Sequence, residues 1–82
     1  MNWIKDIKKA ISYIENNITE DIDVDAVADS VYASSSNFGR IFNLVTGYTI
    51  GDYIRNRRLT LVAQEIINSK LISIRLRINF IL

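Results

Sequence analysis

Apolar positions recur at helical spacing from the start of this chain. Trp3, Ile4, Ile7, Ile11, Ile14 and Ile18 stand three or four residues apart, with lysines and acids between them. That spacing predicts an amphipathic first helix, and Asn2 stands where a cap belongs. The stretch NNITEDID then ends it with residues that favour turns and caps. Asp23 is placed to cap a short second helix carrying Val24, Val27, Ala28 and Val31 on one side. A tight turn, YASS, follows. Ser34 or Ser35 caps a third helix reaching to about Val45, whose inward side is Phe38, Ile41, Phe42 and Val45. TGYT closes that helix, with Gly47 suited to the left-handed conformation past a helix end. Thr49 and Asp52 make a capping box, Asp replacing the commoner Glu. It opens a fourth helix, from Ile50 to about Asn68, with Tyr53, Ile54, Leu59, Val62, Ala63, Ile66 and Ile67 available for packing.

The end of the chain changes period. In LISIRLRINFIL the positions Ile72, Ile74, Leu76, Ile78, Phe80 and Leu82 are apolar, while Ser73, Arg75, Arg77 and Asn79 between them are polar. Alternation is the pattern of a strand rather than a helix. A lone strand on a helical domain has nothing to pair with. Three outcomes are open: pairing with another chain, folding as a helix against its own pattern, or disorder.

Composition narrows the classes. Eighty-two residues make one small domain, which buries only a little over ~60% of its unfolded surface. There is no cysteine and no histidine, which removes disulfides, thiol chemistry and the usual zinc sites. No acidic loop has calcium-site spacing, so neither metal nor cofactor is expected. Charges scattered through MNWIKDIKKAISYIE argue against a signal peptide and a membrane span, which makes the cytoplasm the expected compartment. The net charge is only +1, but it is unevenly spread. Residues 1–29 hold three lysines and seven acids, net −4, and residues 30–82 hold seven basic residues and two acids, net +5. This asymmetry fits a nucleic-acid or membrane surface, and equally a dipolar solvated one.

The second and third helices, joined by a short turn, have the layout of a helix-turn-helix, in which the later helix enters the major groove. With Phe38, Ile41 and Phe42 facing in, the outward start of the third helix is Ser35, Ser36, Gly39 and Arg40. No acid occurs from Ser30 to Gly51, as a polyanion partner requires. The competing reading is a polar solvated helix. Enzymatic chemistry has no foothold, because no nucleophile is grouped with a base and the serine run lacks a basic partner.

A family resemblance sharpens this. From about residue 3 to residue 67 the chain resembles the DNA-binding region of the AraC/XylS family of bacterial transcription regulators. IKKAISYIENNI is similar to the family's opening helix. VDAVADSVYASSSNFGRIFNLVTGYTIGDYIRNRRLTLVA fits its first helix-turn-helix and the long connecting helix. The matching positions are Val24, Val27, Ala28, Ser34, Phe38, Arg40, Phe42, Thr46-Gly47, Tyr53-Ile54, Arg58-Leu59 and Ala63. The opening MNWIK is similar to members whose DNA-binding region comes first.

The resemblance implies an all-α fold, a small orthogonal bundle of four helices with a homeodomain-like helix-turn-helix, plus an atypical C-terminal tail. It implies a sequence-specific regulator that binds double-stranded DNA. The family's base-facing positions fall on Ser35, Ser36, Gly39 and Arg40, with Asn37 reaching a phosphate. Arg40 is suited to bidentate contact with guanine, its competing role being a surface ion pair. Of Arg55, Arg57 and Arg58, at least one is expected to brace the fold by pairing with an acid, an arginine at the Arg58 position being a family feature. The others, Arg55 and Arg57 among them, are expected to add electrostatic pull on DNA.

The family pattern continues into a second helix-turn-helix, which KLISIRLRINFIL does not match. The chain therefore reads as a DNA-binding domain over residues 1–69 followed by an apolar tail over 70–82. A homodimer through that tail is the expected way to cover it. The alternative is a remnant, or an interaction module with little affinity for DNA. A membrane partner is not expected, since RNRR is too short for an amphipathic face.

Overall fold

The computed structural model describes residues 2–81, and Leu82, the last of the alternating apolar positions, lies outside them. The described chain is an all-α bundle of four helices: α1 (Trp3–Asn16), α2 (Val24–Ser30), α3 (Ser35–Thr46) and α4 (Ile50–Ile81). Each short helix starts at the polar residue its sequence offers. The Asn2 side chain accepts from the Lys5 amide at 3.2 Å, Asp23 from Ala26 at 2.8 Å, and Ser34, rather than Ser35, from Asn37 at 3.4 Å. These bonds satisfy amides that have no partner inside the helix. Gly47 ends α3 at φ 79°, a left-handed geometry that costs glycine nothing. The Thr49 hydroxyl accepts from the Asp52 amide at 3.1 Å and opens α4.

The core is small and apolar. Ile7, Ala10 and Ile14 of α1 meet Val27 and Ala28 of α2, Val31 beside it, Phe38 and Phe42 of α3, and Ile50 and Ile54 of α4. Phe42 stacks edge-on against Tyr53, centroids 5.6 Å apart, a geometry favoured by the ring quadrupoles. Helix α2 packs on both α1 and α3, so the turn between α2 and α3 is held from two sides.

That turn closes with a helix-ending motif. The Ala33 amide donates to the Ala28 carbonyl at 3.0 Å, and Tyr32 takes φ 57°. This is the left-handed position normally given to glycine, and a side chain there costs about 1–2 kcal/mol. Tyr32 is 91% exposed, and the Lys9 ammonium sits 5.3 Å from its ring centroid.

Helix α4 departs from its sequence reading in two ways. It does not end near Asn68 but runs on to Ile81, so residues 70–81 are helical, not a strand. Its packing stops early: only Ile50 and Ile54 are buried, Tyr53 is partly so, and Leu59, Val62, Ala63, Ile66 and Ile67 are exposed. The physical reason is its direction. It leaves the three shorter helices, stretching the molecule to 61 × 22 × 18 Å. A two-residue period laid on a helix of 3.6 residues per turn also cannot make one stripe. Ile74 and Ile78 fall on one side of α4, while Ile72, Leu76 and Phe80 fall on the opposite side, with Arg75 and Arg77 between.

Candidate nucleic-acid interface

Ser34 caps α3, so its first turn presents Ser35 and Ser36 side by side, and Gly39, Arg40 and Asn43 follow on the same face. This face borders a shallow groove of about 480 Å³ whose far wall is Val24, Thr49, Ile50 and Gly51. Ser35, Ser36, Gly39 and Arg40 are thus brought together. Asn37 is exposed and turns toward the other flank of α3, where with Tyr32, Ser34 and Arg40 it borders a second depression of about 430 Å³. Arg40 stands between the two and reaches either.

Gly39 has open space where a side chain would be: a Cβ there meets nothing within 4 Å. Packing within the protein therefore gives no reason for glycine at this point of a helix, which it weakens by about 1 kcal/mol. Asn43 was readable in the sequence at the spacing of Ser36, Gly39 and Arg40. Thr49 and Gly51 were not, because they join the face only through the fold.

The three arginines of α4 separate. Arg55 folds over Gly51, its Nη1 3.6 Å from where a Cβ would stand, and pairs with Asp52 one turn earlier. It remains exposed beside the groove. Arg57 is placed elsewhere: half-buried, its Nε donates to Glu15 Oε1 of α1 at 2.6 Å. The acid-paired brace is therefore Arg57, and its expected pull on DNA finds no place on this face. Arg58 also braces, by donating to carbonyls: Nε to Ile18 at 3.0 Å and Nη2 to Glu20 at 2.7 Å. Together these two fix α4 to α1 and the loop after it.

One acid was missed. The Asp25 carboxylate of α2 accepts the Ser35 hydroxyl at the start of α3. The stretch without acids is therefore continuous along the sequence but interrupted in space.

The chain is 39% identical over 66 residues to the regulatory protein SoxS of Escherichia coli K12, covering 80% of this chain and 62% of that protein. It is 40% identical over 60 residues to the transposon Tn10 TetD protein of Escherichia coli, and 30% identical over 60 residues to the multiple antibiotic resistance protein MarA of Salmonella typhimurium. The chain is homologous to regulators of the AraC/XylS family. The SoxS and MarA relatives support transcription regulation as the theme of the similarity. The chain spans 62% of the length of SoxS, 44% of TetD and 47% of MarA. No family model matches it, and no solved structure is similar to it. Among the described residues, no helix is long and apolar enough to cross a membrane.

Proposed function

We propose that this AraC-type chain is a sequence-specific DNA-binding transcription regulator of the cytoplasm, with α2 and α3 as its helix-turn-helix. The observation that carries the reading is the exposed face of α3. Its start is a row of hydroxyls, a glycine open to solvent, Arg40 and Asn43, with no acid of its own. In the major groove, Arg40 has the reach and fork geometry for guanine. Ser36 and the free amides of the first turn suit a phosphate, and Asn37 a second one on the turn side, whereas Ser35, whose hydroxyl goes to Asp25, is left to accept from a base edge. Gly39 lets the helix backbone approach the base edges. Arg55 adds long-range attraction, reduced by its pairing with Asp52. SoxS is named as a regulatory protein, which agrees with a binding role rather than an enzymatic one.

The test is a selection from random double-stranded DNA followed by mobility shifts of the enriched duplex. The reading expects a shift that weakens steeply with salt, and an Arg40→Ala variant that folds normally but loses preference for the selected sequence. Equal binding to selected and random duplexes would remove sequence specificity from the account.

The exposed outer half of α4 favours a second, compatible reading, association with another protein chain, and its chemistry is specific enough to name the partner.

A further inference from the structure

The outer half of α4 is unusual in three respects. Leu71, Ile72, Ile74, Leu76, Ile78, Phe80 and Ile81 are each at least half exposed. Beyond Glu65 it carries Lys70, Arg75 and Arg77 and no acid, so no intrahelical ion pair supports it. Four of its residues, Ile72, Ile74, Ile78 and Ile81, are isoleucines with modest helix propensity. A solitary helical extension of this length and composition is marginal in water, because helices are held mainly by packing. Something has to cover it.

The inner half of α4 presents the complementary surface. A groove of about 650 Å³ lies between α4 and the loop after α1, floored by Ile18, Leu61 and Val62. Around its rim stand Glu20, Asp21 and Glu65 with a single cation, Arg58, whose guanidinium is taken up by the Ile18 and Glu20 carbonyls, and among the described residues none of these carboxylates has a hydrogen-bond or ion-pair partner. One helix thus carries an acidic apolar groove on its inner half and a cationic apolar segment on its outer half.

We propose that two copies of this chain associate through α4 laid antiparallel, the outer half of each helix filling the groove of the other. Val62, Glu65, Ser69, Ile72 and Leu76 recur three and four apart, so they form one continuous seam. A two-fold axis at Ser69, a small residue that permits close approach, sets Leu76 of one copy opposite Val62 of its partner. It also sets Arg77 opposite Leu61, next to Glu20 and Asp21, and Arg75 within a turn of Glu65. The same patch serves both copies, so the contact closes on itself. Overlap from Arg58 to Phe80 spans about 34 Å of helix, long enough for a stable pair. Parallel pairing of the outer halves is disfavoured, because it places each cation against its own copy. Charge decides the partner and its orientation.

Sedimentation of the full chain tests this without reference to DNA, so failure here and failure of DNA binding are separately visible. The expected result is a monomer–dimer equilibrium at micromolar concentrations that weakens between about 0.1 M and 1 M salt, where screening shortens from ~10 Å to ~3 Å. Two charge-reversed variants are made, Arg75→Glu with Arg77→Glu, and Glu20→Lys with Glu65→Lys. Each is expected to self-associate at least tenfold more weakly while keeping its helical circular dichroism, and an equimolar mixture of the two is expected to restore a dimer. A monomeric wild type overturns the proposal. So does a wild-type dimer that both variants retain and their mixture does not strengthen, which would mean apolar pairing of the tails alone. A monomer that gains helix only on anionic vesicles would assign the segment to a membrane surface instead.

Discussion

Asp25 and Ser35 meet across the turn between α2 and α3, the serine hydroxyl donating to the carboxylate. The contact ties together the two helices of the proposed helix-turn-helix, but it also sets a negative charge at the start of α3. Ser35 is left with only its lone pairs to offer a ligand. Asp25→Asn keeps the shape and removes the charge. Binding to random-sequence duplex, followed by mobility shift, is expected to tighten about tenfold, in keeping with ~1 kcal/mol or more for unit charges near a surface. Unchanged affinity would place Asp25 away from the phosphates.

Arg58 and Arg57 are expected to report on stability rather than DNA. Arg58→Ala deprives two carbonyls of a charged donor and should cost about 2 kcal/mol in urea unfolding. Arg58→Lys should recover little, because one ammonium cannot reproduce a fork to two carbonyls. Arg57→Ala breaks a pair whose side chains are each about a third exposed, 34% and 33%, so the loss should be about 1 kcal/mol or less. Duplex affinity of folded Arg57→Ala should equal that of wild type.

Two backbone positions separate stability from binding. Tyr32→Gly removes left-handed strain but loses the Lys9 contact, for a net gain of about 0.5–1 kcal/mol in thermal unfolding. Gly39→Ala should stabilise the free chain by a similar ~0.5–1 kcal/mol, because its methyl meets nothing. The same methyl should weaken duplex binding if α3 approaches the groove through Gly39. A rise in both stability and affinity would show that the glycine has no role in contact.

Stability should fall at both ends of the pH range, for separate reasons. Asp52 is held below its ordinary 3.8 by the hydrogen bond from Arg55 first, then by that with Thr49. Its contribution is complete above that ordinary value and is lost as pH falls below it, so Asp52→Asn should flatten part of the acid limb. Tyr53 is raised above its ordinary 10.0, by burial first and then by the Glu15 charge. Its contribution is present below 10.0 and is lost as pH climbs beyond it, so Tyr53→Phe should flatten the alkaline limb. Chemical unfolding across pH measures both.

Local chemistry was readable in advance where a single residue does the work. Asn2, Asp23 and Ser34 cap because their oxygens reach an amide three residues on, and Gly47 ends α3 because only glycine takes its φ freely. The core residues Ile7, Ile14, Val27, Phe38 and Phe42 were legible from their spacing. The alternating tail misled because alternation reports side-chain period only if the backbone is extended. Here α4 propagates from its capped start with no glycine after Gly51 and no proline to break it, and among the described residues no strand lies near to compete for its backbone.

The sequence by itself determined the first three helices and the start of the fourth, their caps, the apolar core and the outward row of Ser35, Ser36, Gly39 and Arg40, since each follows from neighbours within one or two turns. Only the tertiary structure decided which arginine of α4 meets Glu15, which meets the carbonyls of Ile18 and Glu20, and that Asp25 reaches Ser35. Those pairings join residues 10 to 42 positions apart. They depend on the angle at which helices cross, which no local spacing encodes.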